Sequence, residues 1–168
     1  KATLKMKDLN ANELITGVVN TFALKVEKYN GQITSELDAE CPWVFVDEMH
    51  FTNVIFNLLD NAVKYTVGAG QVLVSVNIEE ACVRVTVTDT GVGIPAQDLD
   101  RVKEKFYKAN KTVRGSGIGL AVADEIIKQM NGLLFIESTE NVGTKVTIVL
   151  PIYEEEIIPK EEGNIDGE

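Results

Sequence analysis

The sequence has little of what several protein classes require. Its 168 residues include two cysteines and one histidine, without the spacing of a disulfide scaffold or a zinc site. No apolar run reaches the roughly 18 residues that a membrane-spanning helix needs, and no signal peptide is visible. Lysine and arginine total 16 against 26 acidic residues, so the basic face that nucleic-acid binding needs is missing. We therefore expect this domain to contact neither nucleic acid nor membrane.

Length and composition indicate one globular domain followed by a tail. Apolar residues make up 45% of the chain, which is ordinary for a domain with a core. Much of the net charge of -10 lies after Pro151, where seven acidic residues face one lysine. We expect residues 1–152 to fold and residues 153–168 to form an acidic, disordered tail. Because the first residue is Lys1 and not Met, we expect a fragment of a longer protein.

Hydrophobic periodicity predicts a mixture of strands and helices. A helix is expected between Asp47 as its N-cap and the stop at Gly68, and Asn-Gly pairs should end two others. The other predicted elements are strands at 5–9, 32–37, 72–78, 83–89, 133–138 and 145–150, helices at 11–29 and 118–130, and a short helical piece at 94–97. Together they indicate an α/β two-layer sandwich, with a mixed, mostly antiparallel sheet and helices on one face.

The helix before Gly68 carries asparagine in place of better helix formers. Asn57 and Asn61 are four residues apart inside an apolar run, so a helix places both amides on one face, about one turn apart. Lys64 extends this face, and the opposite face is apolar. An amide oxygen is a hard ligand that adds no negative charge. The stripe therefore indicates a site for a metal ion and its phosphates.

Three glycine-containing segments follow this helix. They are Asp89-Thr-Gly91-Val-Gly93-Ile94 after a strand pattern, Gly115-Ser116-Gly117-Ile118-Gly119-Leu120 at the start of a helix pattern, and Gly143-Thr144 before the last strand. With the paired asparagines, in this order and spacing, they closely resemble the N, G1, G2 and G3 boxes of the ATP-binding catalytic domain of bacterial sensor histidine kinases. The resemblance covers roughly residues 7–151.

The resemblance implies the Bergerat ATP-binding fold, in which the nucleotide lies between the helices and a lid loop. It implies Mg²⁺ and ATP as cofactors, a phospho-acceptor histidine on a separate dimerisation domain, and a response regulator as partner of the full-length kinase. It also implies a cytoplasmic domain in a membrane-anchored protein. The positions that would bind the nucleotide are Asn57, Asn61, Lys64, Tyr65, Asp89, Gly91, Gly93, Ile94, Phe106, Lys108, Arg114, Gly115, Ser116, Gly117, Ile118, Gly119, Leu120 and Thr144.

The resemblance assigns catalytic roles to Asn57, Asn61 and Lys64, with Mg²⁺ on the side-chain oxygen of Asn61. Topoisomerase-type relatives carry a glutamate at the position of Asn57 to activate water, and an amide cannot act as a general base. This difference favours transfer of the phosphoryl group to a histidine over hydrolysis. By themselves, Lys64 and Tyr65 also fit a solvated lysine and a half-buried tyrosine at a helix end.

A carboxylate at Asp89 could select the base. It would accept a hydrogen bond from the exocyclic amine of adenine, whereas guanine would present a carbonyl oxygen. An unpaired buried polar group costs about 1–3 kcal/mol, which is enough to favour ATP over GTP. Taken alone, Asp89 fits a turn-initiating aspartate better; the other boxes favour adenine contact. In the same way, the glycines at the start of the later helix would expose N–H groups to phosphate oxygens.

Residues 103–116 are polar and basic without periodicity, and we expect a mobile lid. Phe106-Tyr107-Lys108 resembles the F box at the start of such a lid, and Arg114 adds positive charge near its end. The family usually has a phenylalanine where this chain has Lys103, and often an acid where it has Asn110.

The single histidine, His50, does not match the phospho-acceptor, because that residue lies in a His-Glu/Asp motif on a separate domain and His50 precedes Phe51. A partly exposed histidine at a helix start is the favoured interpretation. Three alternatives to a histidine kinase stay open. They are an ATPase of the same fold, a serine kinase of the anti-sigma type, and a pseudokinase that acts only as a binding module.

Overall fold

The computed structural model describes residues 3–28, 30–37, 43–66, 70–102 and 119–152. These ranges contain seven strands and four helices. In chain order they are β1 (Met6–Asn10), α1 (Ala11–Glu27), β2 (Gln32–Leu37), β3 (Trp43–Asp47), α2 (Glu48–Tyr65), β4 (Gln71–Glu79), β5 (Cys82–Asp89), α3 (Ala96–Leu99), α4 (Gly119–Gln129), β6 (Leu133–Thr139) and β7 (Gly143–Pro151).

The strands form two sheets. The larger sheet has the order β2-β4-β5-β7-β6, in which β2 and β4 are parallel and the other neighbours are antiparallel. β1 and β3 form a small antiparallel sheet, and a bridge between Val44 and Ile152 joins it to the end of β7. The expectation of a mixed, mostly antiparallel sheet is confirmed. β3 was absent from that expectation, because its short apolar run directly follows the break at Cys41-Pro42.

The core lies between one face of the larger sheet and the helices. Alternate residues of β5, namely Val83, Val85 and Val87, are fully buried or nearly so, as expected for a strand with one covered face. α1 contacts β2 and β4, while α2 contacts β5 and packs between α1 and α4. The helices therefore cover the face of the larger sheet that carries these valines, and α2 lies on β5 between the other two long helices.

Asparagine-containing stops end both flanking helices, as the sequence predicts. Asn30 after α1 has a φ of 60°, and Asn131 after α4 has a φ of 67°. The next residue in each case donates its N–H to a carbonyl five residues earlier, Gly31 to Val26 at 3.2 Å and Gly132 to Ile127 at 2.9 Å. Asparagine tolerates this left-handed conformation better than most residues do.

Asp47 anchors the start of α2. Its Oδ1 accepts the His50 N–H at 2.9 Å and lies 3.0 Å from Nδ1 of the same histidine, while its Oδ2 accepts the Lys5 N–H at 2.7 Å. The backbone N–H of His50 contributes most to holding the pKa of Asp47 at about 2, followed by that of Lys5. The predicted N-cap is confirmed, and His50 is a partly buried residue of the first helical turn.

The stability of Asp47 variants as a function of pH tests this anchor. Because the pKa of Asp47 is depressed in the folded chain, its carboxylate stabilises the fold above about pH 4 and loses this effect as the pH falls towards 2. We expect Asp47→Ala to lower the free energy of unfolding at neutral pH by about 1–2 kcal/mol, measured by urea denaturation. Asp47→Asn, the matched control, keeps a capping oxygen and should lose less.

The advantage of the wild type over Asp47→Asn should shrink as the pH falls from about 4 towards 2. An advantage that stayed constant across this range would show that the ionised Asp47 carboxylate does not stabilise the fold.

Candidate functional site

The asparagine stripe lies along α2, on the helix that packs against β5 and α4. Asn57 and Asn61 are half-buried, whereas Leu58 and Leu59 behind them are buried in the core. Within the described ranges neither asparagine side chain hydrogen-bonds to another residue. The two amides thus sit at the edge of the core with their oxygens directed to no described protein donor.

Lys64 lies one turn further along α2 and forms an ion pair. Its Nζ is 3.0 Å from Oδ2 of Asp60, and Nζ of Lys25 is 3.7 Å from the other oxygen of that carboxylate. These side chains are partly exposed, so solvent weakens the pairs and a phosphate could compete for Lys64. A phosphate-binding role for Lys64 stays a prediction. Tyr65 ends the helix, and its side chain is outside the described part.

Asp89 is the last residue of β5 and is only 8% exposed. Its Oδ1 accepts the N–H of Gly91 at 2.8 Å and the N–H of Thr144 at 3.3 Å. Burial raises the pKa of this carboxyl above the ordinary value, and the two N–H donors oppose the rise. No donor among the described residues reaches Oδ2. Among these residues, the carboxylate is therefore oriented through Oδ1 alone.

Three neighbouring strands carry polar residues at one level near the same end of the sheet, and we name these residues the polar row: Asp89, Thr144 and Ser138. The strand register pairs Asp89 with Thr144 across β5 and β7, and Thr144 with Ser138 across β7 and β6. One step further inside, on the same face, the corresponding positions include the buried Val87 and Val146. The polar row thus closes the apolar core at this end of the sheet.

Ser138 connects the polar row to the loop that follows β5. Its Oγ lies 2.9 Å from the carbonyl oxygen of Gly143, 2.8 Å from the N–H nitrogen of Ile94 and 2.8 Å from Oγ1 of Thr144. Sequence reasoning missed Ser138, although it continues the alternation of the buried Leu134 in the same strand. That alternation was the available signal, because it places the serine on the core-facing side.

Two glycines allow close approaches around the turn between β6 and β7. Gly93, in the loop after β5, approaches the end of β6, and Gly143, at the start of β7, approaches the end of β5. Gly93 has a φ of 71°, and a Cβ there would lie 2.1 Å from the carbonyl oxygen of Thr139. Gly143 has a φ of 152°, and a Cβ there would lie 2.0 Å from the carbonyl oxygen of Asp89. Both positions therefore require glycine for conformation and for space. The atoms that Gly93 approaches are protein backbone; contact of Gly91 and Gly93 with a base stays a prediction.

The remaining predicted site residues divide into two groups. Gly119 begins α4, and Leu120 packs partly buried against the core, so the last two positions of the second glycine segment are at a helix N-terminus. The others, together with the expected lid and the acidic tail, lie outside the described residues: Phe106, Lys108, Arg114, Gly115, Ser116, Gly117 and Ile118.

The donor chemistry of the site fits a metal ion that arrives with its phosphates. Across the described ranges, no group of three or more His, Cys, Asp or Glu side chains could hold a metal. Mg²⁺ commonly uses few protein ligands and shares substrate phosphates and water. The neutral, half-buried amides of Asn57 and Asn61 suit this mode.

Among the described residues, no helix is long and apolar enough to cross a membrane.

The sequence matches the family described as histidine kinase-, DNA gyrase B-, and HSP90-like ATPase over residues 46–154. It is 51% identical to sensor protein RprX of Bacteroides fragilis over 90% of this chain and 30% of that relative. It is 32% identical to sensor histidine kinase WalK of Bacillus subtilis over 83% of this chain and 24% of that relative. The chain thus spans a third or less of these curated relatives.

Solved structures share the fold. The nucleotide-free catalytic domain of histidine kinase ThkA superposes with a TM-score of 0.79 at 28% identity, covering 88% of this chain and 96% of that one. ThkA in complex with the response regulator protein TrrA gives a TM-score of 0.76 at 27% identity, covering 89% of this chain and 42% of that one.

Gly143→Ala tests the close approach between the start of β7 and the end of β5. The new Cβ would collide with the carbonyl oxygen of Asp89, and the backbone would be strained, so we expect a loss of about 1–3 kcal/mol in the free energy of unfolding. The matched control is Gly17→Ala in α1, where a Cβ meets nothing within 4 Å. That variant should gain up to about 1 kcal/mol from helix propensity. Equal effects of the two substitutions in urea denaturation would contradict the contact.

Proposed function

Since the chain belongs to the family of histidine kinase-, DNA gyrase B- and HSP90-like ATPases, we propose that it is the ATP-binding catalytic domain of a sensor histidine kinase. It transfers the γ-phosphoryl group of ATP to a histidine on a separate dimerisation domain. The observation that carries the proposal is one buried carboxylate at the end of β5 combined with two half-buried amides on the adjacent α2. The first suits an amino-bearing base, and the second suits a metal-bound triphosphate.

The adenine base is recognised by Asp89 in this proposal. Oδ1 is already committed to the N–H groups of Gly91 and Thr144, so Oδ2 accepts the hydrogen bond from the amino group of the base. Such a donor favours the ionised carboxylate, whose pKa burial raises. Nucleotide binding should therefore weaken as the pH falls through the pKa of Asp89.

The triphosphate lies over α2 and the start of α4. The side-chain oxygen of Asn61 would hold Mg²⁺, with Asn57 one turn earlier beside it. When bound, the ion would neutralise charge on the phosphate oxygens. Lys64 exchanges its partner Asp60 for a phosphate oxygen, and backbone N–H groups at the N-terminus of α4 attract the phosphates through the helix dipole.

Asn57 favours phosphoryl transfer over hydrolysis. An amide cannot take a proton from water, so the domain holds ATP in position for an incoming nucleophile and supplies orientation and charge neutralisation. Among the alternatives, an ATPase of the same fold would need a general base at this position. A serine kinase of the anti-sigma type is distinguished by its product, because a phosphoserine ester survives acid whereas a phosphohistidine does not.

The full-length protein passes the phosphoryl group to a response regulator in this proposal. Support comes from ThkA, a relative in fold whose structure contains the response regulator protein TrrA. We further propose that the domain works in the cytoplasm as part of a membrane-anchored sensor, as the similarity to sensor proteins suggests.

Calorimetric titration with a non-hydrolysable ATP analogue and Mg²⁺ tests the nucleotide site. We expect saturable binding of the ATP analogue and much weaker binding of the GTP analogue. Asp89→Asn should weaken ATP-analogue binding about 10- to 100-fold, because a hydrogen bond to a charged acceptor is lost. Asp8→Asn, an exposed change on β1, is the matched control and should leave the dissociation constant unchanged. A folded wild type that binds no nucleotide would leave only a pseudokinase.

Phosphotransfer to a separately supplied dimerisation domain tests the reaction. With [γ-³²P]ATP we expect an acid-labile, base-stable label on the acceptor domain, and no label when its histidine is replaced. The isolated chain should hydrolyse ATP slowly, because Asn57 provides no base. Steady ATP turnover without an acceptor would support the ATPase alternative, and an acid-stable label would support a serine kinase.

A further inference from the structure

Ser138 has one hydroxyl proton and three polar neighbours. The carbonyl oxygen of Gly143, at 2.9 Å, can only accept a hydrogen bond, and the N–H of Ile94, at 2.8 Å, can only donate one. If the proton pointed elsewhere, the Ser138 and Gly143 oxygens would face each other without a hydrogen between them. The Ser138 hydroxyl therefore donates to Gly143, accepts from Ile94 and keeps one acceptor position.

Thr144 fills that position as the donor. Its Oγ1 lies 2.8 Å from Oγ of Ser138, which is an ordinary distance for a bond between two hydroxyls. Ser138 has no second proton to give, so the proton in this bond belongs to Thr144. Because a threonine hydroxyl carries a single proton, Thr144 has only lone pairs left for any further neighbour.

We propose that Ser138 is a positioning residue that makes Thr144 an acceptor-only neighbour of Asp89 and thereby sharpens selection for a purine with an amino group at C6. The proposal rests on the proposed function, in which Asp89 contacts the base. Thr144 is the register partner of Asp89, and its N–H donates to Oδ1 of that carboxylate. Directly paired residues of antiparallel strands carry their side chains on the same face as neighbours, so the polar row presents two neighbouring acceptors there.

Two adjacent acceptors discriminate between purines more strongly than one. An amino group at C6 has two protons, and it can satisfy both Asp89 and Thr144. An oxo group at C6 has only lone pairs, so it would face two acceptors and leave them unpaired, which is the kind of mismatch that binding sites reject most effectively. Without Ser138, the proton of Thr144 is released and can turn towards an oxo group.

The test compares the dissociation constants of an ATP analogue and the matching inosine analogue, each with Mg²⁺, by calorimetry. The two ligands differ only in the amino or oxo group at C6 and the proton at N1. We expect Ser138→Ala to reduce the ratio of the inosine to the adenosine dissociation constant about 3- to 10-fold, the range that one hydrogen bond supports. A purely structural role would weaken both ligands equally and leave the ratio unchanged, and that result would overturn the proposal.

Two further variants accompany Ser138→Ala. Ser138→Thr keeps the hydroxyl and should restore the ratio to within about twofold of the wild type, since the same hydrogen bonds can form. Ser75→Ala removes a serine from β4 on the opposite face of the same sheet, and it should change neither dissociation constant. A reduced ratio in Ser75→Ala would overturn the assignment to Ser138.

Circular dichroism and thermal denaturation show which variants are folded. If Ser138→Ala does not fold, Thr144→Val tests the proposal in its place. This variant removes the Thr144 hydroxyl, the second acceptor, while keeping the shape of the side chain. Its ratio should also fall, and an unchanged ratio would overturn the proposal. A wild type that binds neither nucleotide would refute the proposed function itself, whereas normal ATP binding with an unchanged ratio in the variants refutes only the role of Ser138.

Discussion

The candidate site depends on one buried carboxylate. Asp89 continues the core-facing side of β5, where every other position is valine, and burial of a charge there is unfavourable unless it is hydrogen-bonded. The N–H groups of Gly91 and Thr144 supply those bonds from two different segments. These two hydrogen bonds therefore hold the loop after β5 and the start of β7 against Asp89. The same bonds stabilise the fold and orient the carboxylate of the candidate site.

The other half of the site is a helix whose direction is set at its beginning. Asp47 caps α2 and binds the backbone of Lys5, so the helix is anchored to the segment that leads into β1. Its apolar face packs on β5, α1 and α4, and its asparagines remain at the edge of the core. The packing of α2 on β5 therefore places the helix that carries the amides beside the strand that carries the carboxylate.

Much of the fold could be predicted from the sequence, because alternation and helical periodicity are local. The stops at Asn30 and Asn131 and the cap at Asp47 were recognisable from residue type alone. β3 was not, since its partners are β1 and the end of β7, which only the tertiary structure brings near. A short run of five residues next to a proline gives no local signal strong enough to predict such pairing.

In the candidate site, too, some residues have a local sequence signal and others depend on strand pairing. Asp89, Gly93 and Thr144 belong to recognisable motifs, whereas the role of Ser138 depends on the register of β6 against β7, which no single strand specifies. The ion pair between Lys64 and Asp60 was equally hidden, although their spacing of four residues on a helix permits it. The motifs thus include Gly91 and Thr144, which orient Asp89, whereas Ser138 lies outside every motif.

The most direct test of a nucleotide site between the polar row and α2 is the amide NMR spectrum of the ¹⁵N-labelled chain during titration with a non-hydrolysable ATP analogue and Mg²⁺. We expect the N–H signals of Gly91 and Thr144, which donate to Asp89, to shift early and to saturate together with those of Asn57 and Asn61 on α2. Shifts that saturate elsewhere, with these four signals unchanged, would show that the nucleotide does not bind between the polar row and the asparagine helix.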